Sequence, residues 1–233
     1  MSSSLLLIGC TDVAENSEEQ ESPDIELGDA LSEASSTSLN IDSYRLHYEI
    51  TLSTSETEYG EEFLQRDDHG VLLNRKEYQT GESNVTEYSA YDGEQAFYYE
   101  EGSDVAYTNT IVEPDSLRGE IPYIGHTLSG VTEDEVSVFQ TDEYDEKEVY
   151  YLLIEGPRSS ETELWLDVDH LLPVKMVQDS DHYTFTIHVV QLDTHVDFDD
   201  PSFFSLEDVL PSDVTLEEQD GDDILEEVSE DDA

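Results

Sequence analysis

Cysteine is almost absent from this sequence: Cys10 stands alone among 233 residues. A single thiol excludes an internal disulfide and any multi-cysteine metal site. Basic residues are nearly as scarce, 8 Lys and Arg against 60 Asp and Glu, for a formal net charge of −52. Phosphate recognition needs clustered Lys and Arg, so nucleic acid is excluded as a partner, as is electrostatic attachment to anionic lipid. No apolar run approaches the roughly 20 residues of a membrane-spanning helix. The chain also lacks a G-x-S-x-G elbow, an H-E-x-x-H pair, a glycine-rich phosphate loop and EF-hand spacing. Paired carboxylates carry no information in a chain this acidic. The sequence thus offers no catalytic residue, no metal-ligand set and no cofactor site, and no enzyme is expected.

What is present is a foldable composition. Hydrophobic residues make up 36% of the chain, with 14 Tyr, whereas an acidic, partly disordered chain would be poor in aromatics. A charge of −52 repels itself unless screened, and the Debye length shrinks to about 3 Å near 1 M salt. A domain adapted to very high salt is the expectation.

Leu5, Leu6, Leu7 and Ile8 precede Gly9 and Cys10. This resembles a lipobox, the export signal at which Cys is lipidated and becomes the first residue. No basic residue precedes Leu5 and the front is short for a signal peptide, so either the start lies upstream or the match is accidental. Residues 11–38 are polar, acidic and rich in Ser and Glu, the composition of a tether. The reading is therefore residues 1–10 as signal, 11–38 as linker, 39–212 as a folded domain and 213–233 as an acidic tail. One lipid chain holds only marginally, so two would be expected on Cys10.

Within 39–212 the period is two. Tyr44, Leu46, Tyr48, Ile50 and Leu52 alternate with Arg45, His47, Glu49 and Thr51, a half-buried strand. Gly60, Gly70, Gly81, Gly93 and Gly102 punctuate further strands. Leu117, Ile121, Ile124 and Leu128 recur at helical spacing, with Asp115 or Ser116 as N-cap. Alternation then resumes, and "EVYYLLIEG" is apolar on both faces, as in a strand covered on both sides. About ten or eleven strands and at least one helix make a mostly β, α+β fold: a large antiparallel sheet with helical cover.

Two segments carry a family resemblance. "ELWLDVDHLLPVKMVQDSDHYTFTIHVVQLDTHVDFDDPSFFSL" (163–206) holds a strand ending in an acidic turn, a Leu172-Pro173 pair opening the next strand, and Asp199-Asp200-Pro201 leading to Phe203 and Phe204. "YDGEQAFYY" (91–99) is an Asp-Gly turn into an aromatic strand. Both resemble the LolA-like lipoprotein carriers, a group that includes LolB-like and LppX-like proteins and haloarchaeal surface lipoproteins. The resemblance implies a strongly curved antiparallel sheet, an incomplete barrel, whose open side is plugged by helices and whose apolar hollow holds acyl chains. Tyr44, Leu46, Tyr48, Ile50, Tyr98, Tyr151, Leu153, Trp165 and Phe185 then either line such a hollow or fill a core.

The remaining candidates are weaker. His182 and His188 share a strand face but lie roughly 20 Å apart, too far to share a metal ion. Asp167 and Asp169, roughly 6.6 Å apart, read as a hydrated acidic turn or as ligands for a hard cation. Asn84-Val85-Thr86 is a glycosylation sequon. The functional expectation is a lipid-anchored protein on the extracytoplasmic face of the cell membrane that binds a lipid or lipid-like ligand. The alternative is an envelope interaction protein with a filled core and no small-molecule ligand.

Overall fold

The computed structural model describes residues 23–53, 57–79, 85–109, 119–156, 160–179, 183–198 and 200–218. Twelve strands form one sheet. Six of them meander from the N-terminal side: β1 (Ser43–Leu52), β2 (Thr57–Arg66), β3 (Leu72–Gln79), β4 (Thr86–Tyr91), β5 (Ala96–Glu100) and β6 (Val105–Asn109). A second meander follows helix α2 (Glu120–Ser129): β7 (Val136–Tyr144), β8 (Lys147–Glu155), β9 (Glu161–Asp167), β10 (Pro173–Asp179) and β11 (Thr184–Thr194). Antiparallel pairing of β1 with β11 joins the two meanders. The strand order is β12-β6-β5-β4-β3-β2-β1-β11-β10-β9-β8-β7. The sheet is curved and open, with β12 and β7 as its edges, as the LolA-like fold requires. Register shifts at His47/Tyr48, Pro173/Lys175 and Val136/Val138 help bend it.

Two helices sit on the concave face. α2 falls within the segment where helical spacing was read, and begins at Glu120. The other, α1 (Leu27–Leu39), corrects the domain boundary, because it lies inside the stretch read as linker. Its buried positions are Ala30, Leu31, Ala34, Ser35 and Ser38. Only one is large and apolar, so the stripe is easily mistaken for tether composition. The small residues serve close approach: Ser35 Oγ donates to the Gly125 carbonyl at 3.0 Å, and a Cβ on Gly125 would press against Ser38.

The core lies between these helices and the sheet. Leu31, Ala34, Ile121, Ile124 and Leu128 from the helices meet Tyr44, Leu46, Leu64, Leu152, Leu164, Leu166, Met176 and Ile187 from the strands. A second layer covers the outer face of β2–β6. There the chain after β11 forms a strap through a 3-10 turn, Pro201–Ser205. Phe203 and Phe204 pack with Phe63 and Leu73, and Leu206 packs with Ala90, Tyr99 and Ala106. Arg75, 2% exposed, ties the strap down: Nη1 donates to Asp208 at 2.7 and 2.9 Å and to the Phe203 carbonyl at 3.1 Å. The acidic tail also needs correction, since Thr215–Glu218 forms β12, parallel to β6. Its four side chains are all exposed, so the backbone alone makes that pairing.

Candidate functional site

Cross-strand partners share a face, so the registers turn the inner surface into rows: Tyr44–Leu64–Asn74–Tyr91, Leu46–Glu62–Lys76–Ser89–Tyr98 and Tyr48–Gly60–Tyr78. The surface divides at β1. Toward β11, β10, β9 and β8 it is aliphatic: Ile187, Met176, Leu164, Leu152. Toward β2 and β3 it turns polar.

The polar part centres on Glu62, whose side chain has no exposed surface. Tyr44 Oη donates to Glu62 Oε1, Asn74 Nδ2 donates to it at 3.4 Å, and the Glu120 amide donates to Oε2 at 3.1 Å. Lys76 Nζ lies 3.6 Å from Glu62 and 2.9 Å from Glu120 Oε1. Burial raises the Glu62 carboxyl above its ordinary range, outweighing the nearby ammonium of Lys76. Burial would lower Lys76, but the carboxylates of Glu62 and Glu120 overcome it and the net shift is upward. Tyr44 is held well above its ordinary value by burial and by Glu62. Burial likewise raises Tyr48. The Tyr48 ring crosses β2 where Gly60 has no side chain; a Cβ there would overlap the ring. Further out on this half, Tyr78 donates to Glu58, and Tyr98 is pushed up to about 12 by burial and Glu87.

The predicted lining residues separate into three groups. Tyr44, Leu46 and Tyr48 are buried on the concave face, with Ile50 and Phe185 partly buried beside them. Tyr98 shares that face but lies on the polar half, 37% exposed. Tyr151, Leu153 and Trp165 require correction: their strand neighbours Tyr150, Leu152, Leu164 and Leu166 point into the core, so these three face outward. There Trp165 packs against Tyr151 with centroids 5.1 Å apart, and Lys175 Nζ sits 4.3 Å above its ring. "EVYYLLIEG" is apolar on both faces because its outer face carries this aromatic cluster. Cys10, Asn84 and His182 lie outside the described residues.

Helix side chains occupy the hollow of the sheet. Two surface grooves flank α1, with volumes of about 590 and 570 Å³. The first runs between α1 and the chain after α2, with Leu31, Leu39, Leu128 and Val131 among Ser32, Ser35 and Ser36. Among the described residues no group of three or more His, Cys, Asp or Glu is placed to hold a metal ion, and no helix is long and apolar enough to cross a membrane.

Sequence reasoning missed Glu62 and Lys76. In a chain with 60 acids a buried carboxylate has no compositional signal. The usable clue was Lys76, one of only eight cations, at an inward-facing position of β3 between Asn74 and Tyr78.

Architecturally this is an open, curved antiparallel sheet plugged by helices, the LolA-like arrangement. No family model and no curated protein matches the sequence. Solved structures align with the chain at low identity. An uncharacterized conserved protein from Thermus thermophilus aligns with a TM-score of 0.53 at 9% identity, over 82% of this chain and 98% of that one. LprF from Mycobacterium bovis gives 0.49 at 12% identity, over 78% and 99%. A LolA superfamily protein from Nitrosomonas europaea gives 0.39 at 11% identity, over 80% and 100%. At 9% identity the first of these likenesses is one of fold alone.

Proposed function

We propose that this chain is a membrane-tethered, extracytoplasmic binding protein without catalytic activity, which takes a lipid or lipid-like ligand against the concave face of its sheet. One observation carries the reading: the aliphatic half of that face is covered by two short helices and by no strand, so it can be uncovered without breaking a ladder hydrogen bond. A ligand tail would replace the contacts of Leu31, Ala34, Ile121, Ile124 and Leu128, at about 0.8 kcal/mol per buried CH₂. The groove beside α1 offers the approach. Leu31 and Leu128 belong both to its wall and to the core. Lipidated Cys10 would supply the tether, with residues 11–26 as spacer before α1.

A second reading is favoured by the packing itself. Because the helices already fill the hollow, the domain is equally a self-contained envelope interaction module with no small ligand. Native mass spectrometry of protein purified from membranes in high salt, with a fluorescent fatty-acid titration, separates the two. Co-purified lipid and saturable binding support the first reading. A clean apo mass with no affinity leaves the second. Replacing Cys10 with Ser should release the protein from membranes; unchanged retention would refute the tether.

A further inference from the structure

The sheet ends in two different ways. At one edge β12 adds to β6 in parallel by main chain alone, with its side chains exposed. At the other edge stands β7, nine residues long and paired only with β8. Proteins blunt such an edge with proline, lysine or a covering segment. β7 contains no proline and no lysine, and residues 136–141 carry no charge at all.

The hairpin after β7 fixes which main-chain groups are free. Its turn residues, Asp145 and Glu146, both have positive φ, 52° and 63°, as in the primed turn of a two-residue hairpin. The residues flanking such a turn, Tyr144 and Lys147, exchange both main-chain bonds. Alternation gives the same role to Asp142, Gln140 and Val138, opposite Val149, Tyr151 and Leu153. Glu143, Thr141 and Phe139 therefore turn their amides and carbonyls away from β8. The Glu143 amide is taken by Asp142 Oδ1 at 2.8 Å. Among the described residues nothing takes the amides and carbonyls of Phe139 and Thr141.

Charge brackets this open stretch. Glu133, Asp134 and Glu135 form an exposed 3-10 turn before it, and Asp142, Glu143, Asp145, Glu146 and Glu148 are exposed after it. Eight of the sixteen residues 133–148 are acidic, against 60 of 233 in the whole chain, so the brackets stand out from an acidic background. Antiparallel pairing of two copies along β7 would set the turn of one against the hairpin of the other, acids facing acids. The edge thus repels its own copy and favours a strand of opposite charge.

We propose that the β7 edge is a docking site for an extended segment of a partner protein, uncharged in its middle and basic at both ends, which joins the sheet as an added outer strand. Main-chain bonds to Phe139 and Thr141 hold the middle, and the acids on either side select the flanks. Phe139, which packs on Tyr150 with centroids 5.7 Å apart, and Val136 give the added strand apolar neighbours on its inner side. The site stands whether or not the concave face takes a ligand.

A fluorescein-labelled peptide, Arg-Lys-Val-Thr-Val-Thr-Val-Lys-Arg, titrated into the full chain and followed by anisotropy, tests this. Saturable binding is expected, weakening as KCl rises because the acids are exposed. The complex should slow hydrogen exchange across 136–144 and leave peptides of β1 and β10 unchanged. N-methylation of the valines and threonines of the probe keeps its charge, removes its donors and should weaken binding at least about tenfold. Thr141→Pro removes an outward amide without touching the β7–β8 ladder and should have the same effect; if that variant does not fold, the methylated probe supplies the answer. Equal affinity for the methylated probe, or exchange across 136–144 that does not slow, overturns the proposal, since charge alone would then account for binding. So does failure of the basic probe to bind, or equal binding of one with Glu in place of every Lys and Arg. A dimer of the chain that Thr141→Pro abolishes would put a second copy on the edge and overturn it as well.

Discussion

Replacing Lys76 with Met removes the ammonium that faces two carboxylates beneath α2. Its Nζ lies 3.6 Å from fully buried Glu62 and 2.9 Å from Glu120, whose side chain is 19% exposed. At 3.6 Å and an effective dielectric of about 20, the attraction to Glu62 is roughly 4–5 kcal/mol. Met avoids the cost of stripping an ammonium of water, which offsets part of the loss. The change nevertheless leaves Glu62 buried without a countercharge, and breaking one side of such a pair costs about 3–5 kcal/mol. We expect about 3 kcal/mol, a large share of the roughly 5–15 kcal/mol that holds a domain folded. The double variant Glu62→Gln/Lys76→Met should recover most of this and fall within about 1 kcal/mol of wild type, because no buried charge remains unpaired. The pH dependence has a definite sign. The Glu62 carboxyl is raised above its ordinary 4.5 by burial, so the fold binds its proton more tightly than the unfolded chain does. Its contribution therefore falls as pH rises through that window, more steeply once Lys76 is gone. Urea unfolding of the wild type, both single variants and the double variant closes the cycle. A loss under about 1 kcal/mol for Lys76→Met, or a double variant no better than the single, would refute this account.

Three further outcomes are expected. Arg75→Met should cost about 2–4 kcal/mol and expose residues 198–210 to limited proteolysis, since Arg75 holds Asp208, Glu77 and the Phe203 carbonyl together; an unaltered cleavage pattern would contradict the strap's role. Tyr44 and Tyr48, both raised by burial, should stay protonated in the folded protein after exposed tyrosines ionise, so their own contribution to stability is constant below about pH 10 and declines above it; ultraviolet titration in which every tyrosine ionises normally before unfolding would show otherwise. The melting temperature should climb with KCl, because screening of −52 charges tightens from about 8 Å at 0.15 M to about 3 Å at 1 M, and a melting point indifferent to salt would remove the basis for a high-salt protein.

Legibility followed the distribution of apolar surface. β1 was readable because one face is solvated and the other packs, with Tyr44, Leu46 and Tyr48 at 0–3% exposure. α1 was not, because Ala30, Ala34, Ser35 and Ser38 make contact through smallness, which hydropathy does not register. β12 was silent for another reason: its pairing is made entirely by backbone. The aromatic residues fall on strands, where the sequence left lining and core filling both open, and parity decided their face. Trp165 and Tyr151 lie one residue away from the core positions Leu164, Leu166, Tyr150 and Leu152, and two apolar faces give the alternation nothing to distinguish. The charged seat under α2 was hidden by the sheer number of acids.

Consecutive residues of β2 answer to different layers: Glu62 meets α2 on one side, and Phe63 meets Phe203 on the other at 4.9 Å. β3 repeats the arrangement, with Lys76 beneath α2 and Arg75 under the strap. Sliding β2 by one position would thrust a carboxylate among phenylalanines and an aromatic ring against the first turn of α2; sliding β3 would bring an ammonium to the phenylalanines and a charged neighbour, Arg75 or Glu77, beneath the helix. A misaligned sheet is thus penalised twice, and half of that check is made by a strap that follows β1–β11 in the chain.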